Sequence, residues 1–177
     1  MLAPCGAVTY APLEEIERCV THRSRMWDAE PCAGLDDGLM EDLGRFVGAQ
    51  DADGTYERAT AELRAGRKRT HWMWFVFPQL LGLGSSPMAQ RYGIASLDEA
   101  REYLAHPVLG PRLLEAAGIV ADAGVDPVSL LGEVDALKLR SSMTLFELAD
   151  AAEPMFAVVL DRLYDGERDH RTRSLLE

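Results

Sequence analysis

The chain has 177 residues, 47% of them hydrophobic and 27% charged, and a net charge of −11 at neutral pH. That length suits one domain with an extension, and the composition excludes a chain disordered over most of its length. The acidic balance excludes general attraction to nucleic acid or to an anionic membrane, and no apolar run approaches the eighteen or so residues that span a bilayer.

Residues 1–41 read as an N-terminal extension. They hold Pro4, Pro12 and Pro31, a short amphipathic piece from Leu13 to Val20, and all three cysteines, Cys5, Cys19 and Cys32. An odd number of cysteines confined to one end cannot form a disulfide framework for the rest, and with His22 their spacing matches no zinc site, so neither metal nor cofactor is expected. No basic stretch precedes an apolar core, so no secretion signal is read there and a cytoplasmic location is the expectation.

The main domain is placed at residues 42–177. Met40, Leu43, Phe46 and Val47 recur at helical spacing, and a second stripe, Tyr56, Ala59 and Leu63, follows Thr55 as its expected N-cap and stops at Gly66. Trp72 to Phe77 is apolar throughout and, ahead of Pro78, is expected to be extended or a single turn entering the core. A loop is expected over Gly82 to Pro87, then a helix from the capping box Ser96-Leu97-Asp98-Glu99 to about Ala105. Pro107 opens the next helix, with the stripe Leu109, Leu113, Ala117 and Val120. A break at Gly124 to Pro127 precedes a short turn at Val128 to Leu131. Ser142 to Ala149 reads as helical, and Pro154 opens a last long helix carrying Phe156, Val159 and Leu160 before Gly166. With no strand-type alternation and no hairpin turn, the expected fold is all-α or nearly so: a compact multihelical single domain of six to eight short helices.

Charge is segregated along this domain. Between Glu62 and Asp98 there is no acidic residue, while Arg64, Arg67, Lys68, Arg69 and Arg91 are all basic, and His71, Trp72, Trp74, Phe75 and Phe77 follow directly. Cations beside flat apolar faces suit an anion that carries a ring, so Arg67, Lys68, Arg69, Trp72, Trp74, Gln79, Arg91 and Tyr92 are candidate ligand contacts. The competing reading is a solvated turn balancing acidic helices, with the aromatics in the core. A second candidate wall is Asp135 to Phe146. There Lys138 and Arg140, two apart, point the same way if the chain is extended, and Ser141 or Ser142 caps a helix whose start, with Thr144, offers amides to an anion. Here the competing reading is a structural cap with surface cations.

Acid–base work on a glycosidic or phosphate bond needs a carboxylate, and Asp135 is the first choice, with His71 as a proton donor. Gly-x-Ser-x-Gly, His-Glu-x-x-His and Walker motifs are absent, which disfavours an ordinary hydrolase, zinc protease or NTPase.

The blocks KRTHWMWFVFPQLLGLGSSPMAQRYGI, SLDEAREYLAHPVLGPRL and DALKLRSSMTLF resemble a bacterial family, domain of unknown function 1810, sometimes labelled calpastatin-like, over Leu43 to Leu176. That resemblance implies a small multihelical fold and no particular reaction. The segment HPVLGPRLLEAAG, His106 to Gly118, is similar to part of the NADAR (YbiA-like) N-glycosidases, which implies a ribose-phosphate substrate. The leading expectation is therefore a pocket, formed where the two basic segments meet, for a small phosphorylated, nucleotide-like ligand of the ADP-ribose type. If the chain is an enzyme, N-glycosidase-type hydrolysis is expected. The alternative is a non-enzymatic protein-interaction or regulatory module using the same surface. Oligomeric state is not legible in the sequence.

Overall fold

The computed structural model describes residues 37–177, with side chains from residue 43 onward. The expected extension and its cysteines lie outside the described residues.

Helix α1 (Asp37–Asp51) buries Leu43, Phe46 and Gln50 on one face. A 3-10 turn, Ala52–Gly54, reverses the chain with Asp53 and Gly54 in left-handed backbone (φ 52° and 64°). Gly54 therefore occupies the cap position expected for Thr55. Thr55 is already helical in α2 (Thr55–Arg64), and its hydroxyl donates back to the Ala52 carbonyl. Gly66 ends α2 at φ 69°, as its sequence position predicts, and lets Arg67 N–H return to the Glu62 carbonyl at 3.1 Å.

The apolar run collapses into a single turn, α3 (Met73–Val76). Past Pro78 the expected loop is shorter than predicted. Ser86 caps, and Pro87 begins, a small helix α4 (Pro87–Arg91) that no stripe announces. Helix α5 (Leu97–Ala105) starts at the predicted box, but the Glu99 carboxylate takes Ala95 N–H rather than that of Ser96 and also holds Arg45. In α6 (Leu109–Asp122) the first amides, Val108 and Leu109 N–H, donate to His106 Nδ1. A β-carbon at Gly110 would lie 2.1 Å from the Leu104 carbonyl oxygen, so this residue lets α5 and α6 meet closely.

Asp126 caps α7 (Pro127–Leu131), and Gly132, at φ 85°, turns the chain into α8 (Glu133–Ala149). This helix begins nine residues before the predicted Ser142. It packs against α5, α7, α9 (Pro154–Leu163) and α10 (His170–Leu176), and burial on several sides leaves it without the single stripe that marks a surface helix. The terminal helix α10, capped by the buried Asp169, lies beyond the helix expected to be last.

The core runs as a chain of ring contacts from Phe75 through Tyr92, Phe46, Tyr103 and Phe146 to Phe156, at 5.1 to 5.9 Å between centroids. Buried Gln50 reaches this chain of rings and is satisfied, since it donates to the Phe75 carbonyl and to Tyr103 and accepts from Arg112. The all-α expectation holds among the described residues, where the sole β-type pairing is an isolated Leu80–Ile94 bridge. None of their helices is long and apolar enough to cross a membrane.

Candidate functional site

The basic turn is built on a residue the sequence reading passed over. Glu62, buried on α2, accepts from Arg69 N–H at 2.7 Å, Thr70 N–H at 3.1 Å, the Thr70 hydroxyl at 2.7 Å and the Trp72 indole at 2.9 Å. Burial works against its ionised form. The Arg69 amide, the indole and both Thr70 donors outweigh that and bring the carboxyl to about 2. One buried anion thus folds residues 69–72 around itself. Trp72, wholly buried and bonded to Glu62, belongs to the core and is not a stacking surface for a ligand. The sequence did carry a signal for Glu62, as the last acidic residue before a stretch that has none.

Exposure alternates along the turn. Arg67, Arg69 and His71 are exposed and have no ion-pair partner among the described residues, whereas Lys68 points inward. Lys68 N–H donates to the Leu130 carbonyl at 2.8 Å, and this bond ties the turn to the end of α7, two residues before Gly132 and the start of α8. Its Nζ therefore meets Asp135 in the first turn of α8 at 2.8 Å. Lys138 Nζ reaches the other oxygen of the same carboxylate, also at 2.8 Å. Lys68 Nζ lies 5.2 Å from the Trp72 ring centroid and Lys138 Nζ 4.5 Å from that of the half-buried Trp74. The side chains of Lys68, Asp135 and Lys138 are only 10%, 16% and 20% exposed.

Two ammonium groups on one carboxylate leave the triad with a surplus positive charge in a place largely shielded from water. Burial alone would raise the Asp135 pKa, but the two lysines override it and shift the carboxyl below its usual range, so it is ionised near neutrality.

The other predicted contacts go elsewhere. The 138–144 segment is helical, not extended, so Lys138 and Arg140 differ by about 200° around α8 and face opposite ways. Arg140 turns to Glu167 (3.3 Å) and Asp169 (4.0 Å). Ser141 is not a cap but donates back to the Leu137 carbonyl within the helix; Thr144 does the same to Arg140 and accepts Asp169 N–H. Ser142 is fully buried, its hydroxyl without a partner. Tyr92 is a core ring with the exposed Arg91 lying over it at 5.4 Å, and Gln79 lends its carbonyl to Ile94 N–H.

Among the described residues the surface carries shallow, open clefts. One, of about 360 Å³, lies between α7, α8 and α9 and is lined by Val128, Glu133, Leu137, Arg140 and Tyr164 among others; another, of about 350 Å³, lies by Asp126 and Arg162. Neither is lined by a residue of the triad. No group of His, Cys, Asp and Glu among the described residues has the makings of a metal site.

Comparison with known proteins matches residues 40–176 to the family described as protein of unknown function (DUF1810). Among solved structures, the chain is similar to the conserved hypothetical protein Rv1873 from Mycobacterium tuberculosis, with 55% identity and a TM-score of 0.73 over 76% of this chain and 96% of that one. No curated protein matches significantly. The segment at His106 to Gly118 serves locally to cap α6 and bring it close to α5, and no comparison links it to the NADAR proteins.

Proposed function

The chain belongs to the DUF1810 family, and on that footing we propose that its basic, aromatic corner binds a small phosphorylated ligand of the nucleotide type. The family fixes the fold and leaves the chemistry to the residues. One observation carries the reading: Lys68 and Lys138 share a single carboxylate, Asp135, and so hold a surplus positive charge in a mostly dry position. A charge of that kind is costly to keep unless an anion completes it. Arg67 and Arg69, exposed on the same turn with no ion-pair partner among the described residues, extend the positive surface, His71 stands exposed next to them, and the Trp74 ring supplies an apolar face.

Binding stands ahead of hydrolysis. A carboxyl pinned by two lysines and shifted below its normal range gives up its proton too early to act as a general acid, and it is a weak base. Hydrolysis of an N-glycosidic bond would need Asp135 in the base role with His71 as donor. Turnover of ADP-ribose or NAD that Asp135→Asn abolishes while affinity survives would establish that role.

The reading is tested by thermal shift and calorimetry with inorganic phosphate, nucleotide monophosphates, ADP-ribose and NAD. At least one phosphorylated compound is expected to raise Tm, and Arg69→Ala to weaken its binding several-fold. No response to any of them would overturn the proposal and leave the surface to a protein partner.

A further inference from the structure

Of the 18 lysine and arginine residues in the chain, 16 are arginine. Lys68 and Lys138 are the two lysines, and although far apart in the sequence they meet on the one carboxylate of Asp135, each at 2.8 Å. For other ion pairs, as on Glu99, Glu115, Asp122 and Glu147, the chain uses arginine. Arginine would also suit plain anion binding here, because its planar fork holds carboxylate and phosphate through paired N–H bonds. Lysine at these two positions and at no other therefore answers a need that arginine does not meet. A guanidinium stays charged and is no nucleophile, whereas an ammonium that gives up a proton becomes a primary amine able to attack a carbonyl carbon.

The two amines differ in access. Lys68 turns inward over the wholly buried Trp72, with 10% of its side chain exposed, while Lys138 is 20% exposed and lies over the half-buried Trp74. Lys138 is thus the amine that a ligand reaches, and Lys68 holds the other oxygen of Asp135.

We propose that Lys138 captures the open-chain aldehyde of a phosphorylated sugar as an imine, with Asp135 as its counter-ion. The substrate class rests on the phosphate-binding reading above, in which Arg67 and Arg69 extend the positive surface of the same corner. In the step, the ammonium passes one proton to water and the freed lone pair forms the C–N bond. The carbonyl oxygen takes a second proton from the nitrogen, giving a carbinolamine. The first proton returns to that hydroxyl, which leaves as water while the nitrogen closes the C=N bond. Two of the three ammonium protons thus depart with the oxygen, and the nitrogen keeps one hydrogen and its positive charge. Asp135 faces the same charge before and after, and the shielding of the triad from bulk water favours the dehydrated product. The sugar must have a free anomeric carbon, as ribose 5-phosphate and ADP-ribose do. NAD and nucleotide monophosphates, whose anomeric carbons are bonded to a base, do not qualify.

The test incubates the full chain with ribose 5-phosphate or ADP-ribose and sodium cyanoborohydride, which reduces the imine to a stable secondary amine, and maps the adduct by peptide mass spectrometry. Labelling of Lys138 should exceed that given by ribose with added inorganic phosphate by about tenfold or more, because a bound phosphate holds the aldehyde beside the amine. NAD should leave no adduct. Lys138→Arg keeps a positive charge on Asp135 and should lose the adduct while still gaining Tm from inorganic phosphate. The adduct is mapped on wild type, so the outcome does not depend on how that variant folds. Label on Lys68 or on the α-amino group in place of Lys138, or equal labelling by ribose and its phosphate, overturns the inference. A wild type that binds inorganic phosphate yet forms no adduct also overturns it and leaves the binding proposal standing, whereas one that binds no phosphorylated compound removes both.

Discussion

Two carboxylates serve the same basic turn and are satisfied in opposite ways. Glu62 is surrounded by neutral donors, four bonds from Arg69, Thr70 and Trp72, all within ten residues of it in the chain, and its single charge is matched with nothing left over. Asp135 is surrounded by cations, Lys68 from a distant segment and Lys138 from the next turn of its own helix, and two positive charges meet one negative. A saturated anion fixes a backbone, whereas one outnumbered by its partners leaves room for another anion. The first therefore belongs to the architecture and the second to binding.

The largest effect that separates them should come from Glu62. In Glu62→Gln the side-chain amide cannot accept from all of the donors that now converge there, and buried N–H groups lose their partner. Stability should fall by about 3 kcal/mol in urea denaturation, with Tm lower by roughly 10 °C. The same residue gives the wild type an acid limb, and the sign follows from a folded-state pKa of about 2 against an ordinary 4.5. Its contribution is complete above pH 4.5, declines as the pH falls toward 2, and is absent below that. Stability measured across this window should drop in wild type and be flatter in Glu62→Gln. Equal acid limbs in the two proteins would take Glu62 out of the architecture and erase the contrast.

Asp135→Asn should come next, with a loss of about 2 kcal/mol, because two shielded ammonium groups are left without a carboxylate, less whatever their flexible stems recover by turning to water. Unlike the loss at Glu62, this one is expected to be repaired from outside. Inorganic phosphate should raise Tm more in Asp135→Asn than in wild type, since Lys68 and Lys138 then hold two positive charges with no carboxylate between them. A variant that phosphate does not rescue would place Asp135 with Glu62, as a structural residue.

The same contrast explains what was legible in the sequence. Elements with one buried stripe and a clear cap, such as α5 behind Ser96 and α9 behind Pro154, show their type and start because local signals and burial agree. α8 does not, because neighbours on several sides remove its periodicity, and with that the expected extended Lys138–Arg140 wall disappears. The charge segregation singled out the turn at residues 67–71, and the separate Asp135 to Phe146 segment supplied Lys138, which the structure brings beside Lys68. It could not show that Glu62 folds that turn, that Trp72 is spent on Glu62, or that Arg140 faces the other way, since all three depend on which side of a helix meets which neighbour.

The smallest effect on stability is the most informative about the surplus charge. Lys138→Met removes one cation while its apolar stem still covers Trp74, and it leaves Lys68 and Asp135 as a one-to-one pair. Losing an ion pair and a cation–π contact is offset by removing an uncompensated shielded charge, so stability should change by less than about 0.5 kcal/mol. The Tm response to phosphate should nevertheless fall well below that of wild type, because the neutralised triad no longer calls for an anion. If Lys138→Met responds to phosphate as wild type does, the exposed Arg67 and Arg69 alone account for anion binding, and the crowded carboxylate is as structural as the saturated one.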